Sequence, residues 1–366
     1  MFDPQIWSAV PFHFWSVALF VLGCMVGSLL NVCIYRMPRD ESIIFPPSHC
    51  PHCQYRIPWY LNVPLVTWLL LRGKCRNCGA PISVRYFLVE LLTGIAFLTV
   101  WWTYGRQSPG VALVGCLVLA GLITATFIDF EHFIIPDEIT LGGVVVGFLL
   151  SAAVPALHNA ATAGEGLRRS LIGILAGAAL IYGILRLGKL LFGRQKFTLQ
   201  PETKVVFTET SLLLPDQEIP YDEIFYRKTD AIEVHAGRVE LLDRCYANAA
   251  VRLTPKSLQV SDDQFDPESI PQFEVLADHV VLPREAMGLG DVKFMAAIGA
   301  FLGWPAVLFS LMVSAFLGSI VGVTLIALRR RDWSSRIPYG PYIAAAAAVW
   351  IYGGKRLVAW WWGRGI

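Results

Sequence analysis

Charged residues are scarce in this chain, and that scarcity limits what kind of protein it can be. Asp, Glu, Lys and Arg make up 16% of the 366 residues, against 55% for hydrophobic residues, and the mean hydropathy is +0.53. Soluble domains carry roughly 25% charged residues, so an ordinary soluble protein is excluded. Residues 1–13 lack a basic signal-peptide start, and the apolar run behind them lacks a small-residue cleavage site. We therefore expect the first apolar helix to be retained.

Two catalytic signatures are also missing. No HExxH motif occurs, so the sequence does not predict a catalytic zinc of the metalloprotease kind. The sequence also contains no recognisable glycine-rich cofactor-binding loop, so no segment resembles a Rossmann methyltransferase.

Eight apolar runs approach the length needed to cross a hydrocarbon core of about 30 Å. They cover residues 14–35, 84–104, 110–129, 139–157, 170–192, 289–303, 304–328 and 340–362. We predict an all-α polytopic membrane protein with about eight transmembrane helices. The sixth run is short and merges with the seventh at Gly303-Trp304-Pro305.

The chain divides into five predicted domains. They are a first transmembrane helix (1–45), a cytoplasmic four-cysteine segment (46–82), helices two to five (83–195), an acidic β-rich cytoplasmic insert (196–285) and helices six to eight (286–366). The insert holds nine Lys/Arg and 17 Asp/Glu, and its alternating stretches predict short strands. Its lone histidines, His235 and His279, are interpreted as surface or packing residues. No activity follows for it.

Basic residues near helix ends predict the orientation. The segments after helices one, five and seven are rich in Lys and Arg and fall on one side by parity, so we predict that this side is cytoplasmic. Basic residues on the opposite side argue against it. They are Arg168, Arg169, Lys355, Arg356 and Arg364.

Parity brings two carboxylates to the same depth. Asp129 ends the third helix, and Asp291 opens the sixth within GLGDVK (288–293). An ionisable group at membrane depth costs about 2.5 kcal/mol or more and usually marks function. Two such aspartates admit an aspartic-protease mechanism, in which they share one proton. The alternative is that Asp129 caps a helix end or pairs with Lys293 or Arg85.

Other carboxylates compete for this role. Glu131, Asp137 and Glu138 lie in or beside a short loop and are predicted to be too exposed, with Glu131 the nearest rival. Glu90 lies midway along the second helix, where a carboxylate is either functional, holding Arg85 or the aspartates, or part of a structural ion pair.

Four of the eight cysteines form two CxxC pairs separated by 21 residues, which is metal-site spacing. Cys50 and Cys53 form one pair, and Cys75 and Cys78 the other. Four thiolates predict a closed, structural zinc site. Chance thiols or two disulfides are the alternative, disfavoured in the reducing cytoplasm.

Several ordered motifs together resemble the type IV prepilin peptidases, which are GxGD-type membrane aspartic proteases. They are GSLLNV (27–32), RMP (36–38), the CxxC pairs, NVP (62–64), LRGKC (71–75), ISVRY (82–86), VE (89–90), FID (127–129), PD (136–137), GLGDVK (288–293) and IPYGP (337–341). The resemblance covers nearly everything outside the insert and parts of the outer loops.

The resemblance implies a function. Such enzymes remove the basic leader of type IV prepilins and type II secretion pseudopilins at the cytoplasmic face of the bacterial inner membrane. They then methylate the new N-terminus with S-adenosylmethionine. Asp129 and Asp291 match the catalytic aspartates, Gly73 and Lys74 match positions associated with methyl transfer, and the four cysteines match the family's zinc-type cluster. The lipid bilayer is the other expected partner, and nucleic acid is not expected.

The chain departs from the family pattern at Phe87, commonly Pro, at Tyr339, commonly Phe, and in a larger insert. We hypothesise that the acidic insert guides or limits the approach of basic leaders. The competing functions are a peptidase without methyl transfer, a cation transporter using Asp129, Glu90 and Asp291, and a non-catalytic scaffold of the secretion machinery.

Overall fold

The computed structural model describes residues 10–192, 194–215, 217–221, 224–225, 230–241, 244–283, 288–328 and 338–362. The chain divides into two compact units, one formed by Met1–Tyr182 with Leu289–Ile366 and the other by Gly183–Gly288. Some of the basic residues used to predict orientation, 329–331, 336 and 364, lie outside the described residues.

The first unit is built from helices, and one helix continues from it into the second. They are α1 (Phe12–Arg36), α2 (Val66–Leu70), α3 (Val84–Tyr104), α4 (Pro109–His132), α5 (Asp137–Ala153), α6 (Ala163–Phe192), α7 (Leu289–Leu302), α8 (Trp304–Ala327), α9 (Gly340–Val349) and α10 (Lys355–Trp362). A π-helical turn, Trp350–Gly354, joins the last two.

Within the described residues, five helices are long and apolar enough to cross a membrane. These are Phe12–Arg39, Val84–Tyr104, Pro109–His132, Ala163–Leu190 and Trp304–Ala327. The prediction of a helical multi-pass protein is thereby confirmed. The other three predicted runs are also helical, but α7 has 14 residues and rises only about 21 Å at 1.5 Å per residue. The number of eight spans stays a prediction.

The break between α7 and α8 follows from the residues at 303–305. Gly303 has φ +80°, a left-handed conformation that favours glycine. Pro305 occupies the first turn of α8, where a missing N–H costs nothing. Side chains outside α7 bind a backbone carbonyl group near its C-terminal end. His158 Nε2 lies 3.1 Å and Ser170 Oγ 2.9 Å from the Ala300 carbonyl oxygen.

Small residues allow α6 and α7 to pack at very short range. A Cβ atom built on Gly173 would lie 2.1 Å from the carbonyl oxygen of Gly299, and one on Gly299 equally close to that of Gly173. Gly299 of the helix that carries Asp291 therefore lies directly against α6.

The second unit contains one antiparallel sheet of eight strands. They are β1 (Arg194–Thr208), β2 (Ser211–Leu214), β3 (Gln217–Pro220), β4 (Ile232–Glu240), β5 (Cys245–Thr254), β6 (Ser257–Val260), β7 (Asp263–Phe265) and β8 (Gln272–Pro283). Their order is β3-β2-β1-β8-β4-β5-β6-β7. Side chains that alternate along the strands, such as Val205, Phe207 and Val275, give the second unit an apolar core of its own. The predicted β-rich insert is confirmed.

Candidate active site

Asp129 lies in the last turn of α4, which ends where Phe133 adopts a left-handed conformation and donates its N–H to the Asp129 carbonyl oxygen. The Asp129 side chain is 5% exposed. Its Oδ2 accepts a hydrogen bond of 2.9 Å from the backbone N–H of Gly340, the first residue of α9. The carboxylate is therefore held in one orientation by a helix 211 positions away.

The contact between Asp129 and Gly340 leaves no room for a side chain. A Cβ atom on Gly340 would lie 2.7 Å from Asp129 Oδ2 and 3.0 Å from Ile135 Cδ1. Ile135, in the loop between α4 and α5, is buried. Glycine is thus required here for the close approach of backbone to carboxylate.

Asp291 lies in the first turn of α7 and is 8% exposed. The N-terminal end of a helix dipole stabilises negative charge at this position. The neighbouring Gly290 faces Ile135, whose Cβ would be 3.7 Å from a Cβ on Gly290. Ile135 therefore lies between the backbone beside Asp291 and the backbone that binds Asp129.

Tyr339 provides a second link between the two aspartates. Burial raises the pKa of its phenol, the hydrogen bond with Ser314 lowers it, and the charge of nearby Asp291 raises it. Tyr339 directly precedes Gly340, so the residue that lies in the field of Asp291 adjoins the residue whose N–H binds Asp129. The structure thus brings together the environments of Asp129 and Asp291.

The nearby cations bind other carboxylates. Lys293 Nζ lies 2.6 Å from Asp137 Oδ1, and Arg85 forms an ion pair with Glu131. The alternative in which Asp129 pairs with Lys293 or Arg85 is wrong for the described residues. Glu131 and Asp137 are exposed and paired, as expected of carboxylates without an active-site role.

Glu90 is buried away from Arg85. Its Oε2 accepts a hydrogen bond of 2.7 Å from the backbone N–H of Leu65. The interpretation in which Glu90 holds Arg85 is therefore wrong, because Arg85 pairs with Glu131.

The four CxxC cysteines form a cluster whose sulfur atoms all lie within 4.8 Å of one another. Cys50 and Cys78 Sγ are 3.9 Å apart, as are Cys53 and Cys75 Sγ. Four sulfurs bound at 2.3 Å to a tetrahedral zinc would be separated by roughly 3.8 Å, so the residues fit the metal. All eight cysteines are free thiols.

The two halves of the cluster are built alike. Cys50 N–H donates to the Tyr55 carbonyl oxygen, and Cys75 N–H to that of Ala80, so each first cysteine begins a tight turn of the same length. Hydrogen bonds from the Asn77 side chain and then the Tyr55 backbone lower the pKa of Cys53 to about 6. This favours the thiolate, which is the form that binds metal.

Gly73 and Lys74 lie in the turn that enters the second CxxC pair. Gly73 has φ +66°, and a Cβ atom there would lie 3.0 Å from Trp68 Cζ2. Its N–H donates to the Trp68 carbonyl oxygen at 2.9 Å. Lys74 is exposed, and within the described residues its ammonium has no hydrogen-bonding partner.

Ile135, Tyr339 and Gly340 are site residues whose contacts the sequence analysis missed. The sequence contains the motif IPYGP (337–341), but no spacing relates residues 129 and 340. The Tyr-Gly pair within that motif is the one signal the sequence offers.

These features define a multi-pass helical membrane protein built around two buried aspartates, with a four-cysteine cluster. Residues 21–104 match the bacterial peptidase A24 N-terminal domain, and residues 116–197 and 272–323 match the type IV leader peptidase family. The chain belongs to this family of type IV leader peptidases.

Curated relatives align over the whole chain or over part of it. The prepilin leader peptidase/N-methyltransferase of Aeromonas hydrophila is 28% identical over 96% of this chain and 95% of its own length. The protein of that name in Myxococcus xanthus is 47% identical over 39% of this chain and 43% of its own length. The one in Neisseria gonorrhoeae is 36% identical over 48% of this chain and 66% of its own length. No solved structure matches the chain.

Proposed function

We propose that this chain is an aspartic endopeptidase that removes the leader of type IV prepilins and N-methylates the new N-terminus. Asp129 and Asp291 carry the cleavage. The observation that supports it most is the burial of both aspartates, with Ile135 lying close both to Gly290 beside Asp291 and to Gly340, which binds Asp129. The names of the full-length relatives support the same substrate class and both activities.

Cleavage needs one ionised and one protonated carboxyl group. The ionised aspartate removes a proton from water as the oxygen attacks the scissile carbonyl carbon, and the protonated one donates a hydrogen bond to the carbonyl oxygen. The proton then passes to the leaving amine. The Gly340 N–H keeps the Asp129 carboxyl group oriented during these transfers.

Methyl transfer belongs to the segment around Gly73 and Lys74. When bound, S-adenosylmethionine would supply a methyl group to the neutral N-terminal amine: the N–C bond forms as the S–C bond breaks, S-adenosylhomocysteine leaves, and the methylated amine releases a proton to water. The exposed Lys74 ammonium can bind the carboxylate of the cofactor's methionine part. Gly73 fixes the turn that presents Lys74.

The cysteine cluster holds a structural zinc in this proposal. With all four positions filled by thiolates, no position stays open for water, so the zinc stabilises the segment without taking part in cleavage. The enzyme has eight spans in the bacterial inner membrane, with the aspartates near the cytoplasmic face, and also processes type II secretion pseudopilins.

Intact-mass spectrometry of a purified prepilin, incubated with the reconstituted protein and S-adenosylmethionine, tests both activities. We expect loss of the leader and addition of one methyl group. Asp129→Asn and Asp291→Asn should each lower the cleavage rate by a factor on the order of 10²–10⁴, the usual contribution of a general acid or base. Lys74→Ala should lower methylation and leave cleavage in place.

Matched controls separate the site from its surroundings. Glu131→Gln and Asp137→Asn remove exposed carboxylates close in sequence and should retain most cleavage. Arg76→Ala removes a neighbouring exposed cation and should retain methylation. Full cleavage by either Asp→Asn variant would refute the assignment of the aspartates. Cleavage without any methyl group in the wild type would reduce the function to a peptidase.

A further inference from the structure

Residues 57–71, between the two CxxC pairs, form a run of 15 positions without any charged residue, bounded by Arg56 and Arg72. The run folds into a 3₁₀ turn, Trp59–Leu61, and α2. It is too short and irregular to cross a bilayer, and an apolar segment of such length is typical of buried or interfacial positions. The exposure of its apolar side chains shows which of these two positions, buried or interfacial, the run occupies.

The run does not bury its apolar side chains within the described protein. Trp59 is 84% exposed and Leu70 is 78% exposed. We call the exposed apolar residues of this run the apolar strip. It consists of Trp59, Tyr60, Val63, Val66, Leu69 and Leu70. Six exposed apolar side chains within 12 consecutive positions are more than the singly scattered ones of an ordinary protein surface, and such clusters mark interaction sites.

A hydrogen bond to a spanning helix fixes the depth of the strip. The Leu65 N–H donates to Glu90 Oε2 at 2.7 Å. Glu90 is the seventh residue of α3, a candidate membrane span, and so lies about 9 Å along the helix from its first residue at 1.5 Å per residue. The middle of the run, at Leu65, therefore lies beside the interior of α3 and not beside its first residue.

The backbone at Leu65 is shaped for this contact. Leu65 has φ +62° and ψ −51°, and Val66 N–H donates to the Pro64 carbonyl oxygen at 2.6 Å, which together form a γ-turn. This conformation is rare and strained for a residue other than glycine, and it persists only where the surroundings fix it. The turn directs the Leu65 N–H to Glu90.

Glu90 is itself fixed against α1. It is buried, and a Cβ atom on Gly27 would lie 2.6 Å from the Glu90 Cα. The acceptor of the Leu65 N–H thus belongs to a closely packed pair of candidate membrane helices, α1 and α3.

We propose that the apolar strip lies in the interfacial layer of the bilayer and contacts phospholipid. Glu90 holds the run at this depth. Trp59 and Tyr60 are of the residue types enriched at membrane interfaces. Arg56 and Arg72 bound the run and lie at the level of the lipid phosphates, where long basic side chains extend. Local 3₁₀ and helical hydrogen bonds satisfy part of the backbone, and headgroups and water satisfy the rest.

Site-specific photo-crosslinking in nanodiscs tests the proposal. The photoreactive residue p-benzoylphenylalanine replaces Trp59 or Leu70 in the full-length protein, within a bilayer of phosphatidylethanolamine and phosphatidylglycerol. The matched control places it at His52, an exposed position at the tip of the cysteine cluster, with metal content measured in each sample. We expect lipid adducts by mass spectrometry at positions 59 and 70, several-fold above position 52. Equal labelling at all three would overturn the proposal.

Variants of Glu90 test the anchor separately. Glu90→Gln retains an oxygen that accepts the Leu65 N–H and should keep the lipid adduct at position 70. Glu90→Leu removes the acceptor and should lower that adduct several-fold, with a shift towards crosslinks within the protein or unreacted probe. An unchanged adduct in Glu90→Leu would refute the role of Glu90. The readout needs no enzymatic activity, so it is independent of the proposed function.

Discussion

At the scale of single residues, Gly340 is the position where the smallest change should have a large effect. In Gly340→Ala, the added Cβ would lie 2.7 Å from Asp129 Oδ2, so the carboxylate or α9 must move. Overpacking of this kind costs about 1–3 kcal/mol, and a misplacement of about 1 Å can lower a rate by roughly 10². We expect cleavage to fall by at least an order of magnitude, measured on a purified prepilin.

The control for Gly340→Ala is Gly142→Ala in α5, because a Cβ atom there meets nothing within 4 Å. It should leave both cleavage and the thermal unfolding midpoint near those of the wild type. A Gly340→Ala variant as active as wild type would show that the Asp129–Gly340 hydrogen bond does not orient the carboxylate for cleavage.

The two candidate catalytic residues could be predicted from the sequence, because a short local motif or an apolar context marks each of them. Asp291 stands out within GLGDVK, and Asp129 stands out at the end of an apolar run. Their partners could not be predicted, because the Gly340 N–H reaches Asp129 across 211 positions. Glu90 illustrates the same limit, since its partner is a backbone N–H that no side-chain pattern reveals.

At the scale of elements, the cysteine cluster should behave as one unit held by a metal. We expect about one zinc per chain, and Cys50→Ser should lose it. Structural zinc supplies on the order of 10 kcal/mol of folding free energy in small zinc domains, so residues 46–82 should become sensitive to protease. Because Gly73 and Lys74 lie in this segment, methylation should fall more than cleavage. Metal analysis, limited proteolysis and the prepilin mass assay measure the three effects.

Cys245→Ser is the matched control for the cysteine cluster, since it removes an exposed thiol outside it. Zinc content, protease resistance and methylation should all be unchanged in this variant. If a chelator removed the zinc from the wild type without any effect on proteolysis or methylation, the structural role would be refuted.

Elements were predictable where one signal dominates. The apolar run 84–104 and the helix Val84–Tyr104 coincide. The sixth and seventh runs were expected to merge at Gly303-Trp304-Pro305, and the structure separates α7 from α8 there. The depth of Trp59–Leu70 was not predictable, because length and charge alone cannot distinguish a loop in water from one at a membrane interface. That required the contact of Leu65 with Glu90.

At the scale of the whole molecule, the chain joins two units that differ in composition and fold. The sheet unit has its own apolar core. Its first and last strands pair antiparallel, with Arg194 opposite Pro283 and Thr198 opposite His279. Because the two ends of the insert are neighbours, a two-residue Asn-Gly turn can replace residues 199–278 and leave the helices connected.

This replacement tests whether the acidic insert guides basic leaders. Residues 196–285 hold nine Lys/Arg and 17 Asp/Glu, and charge of this sign attracts basic peptides over a Debye length of about 8 Å at physiological salt. We expect the deletion to lower kcat/KM for a prepilin at low ionic strength and to flatten its decline with added salt, while kcat stays the same. The double variant Glu209→Gln/Asp262→Asn removes two exposed carboxylates. It should shift the salt dependence in the same direction while the sheet unit stays folded. An unchanged rate and salt dependence in the deletion variant would rule out electrostatic guidance, and a faster rate would instead assign the insert to limiting access.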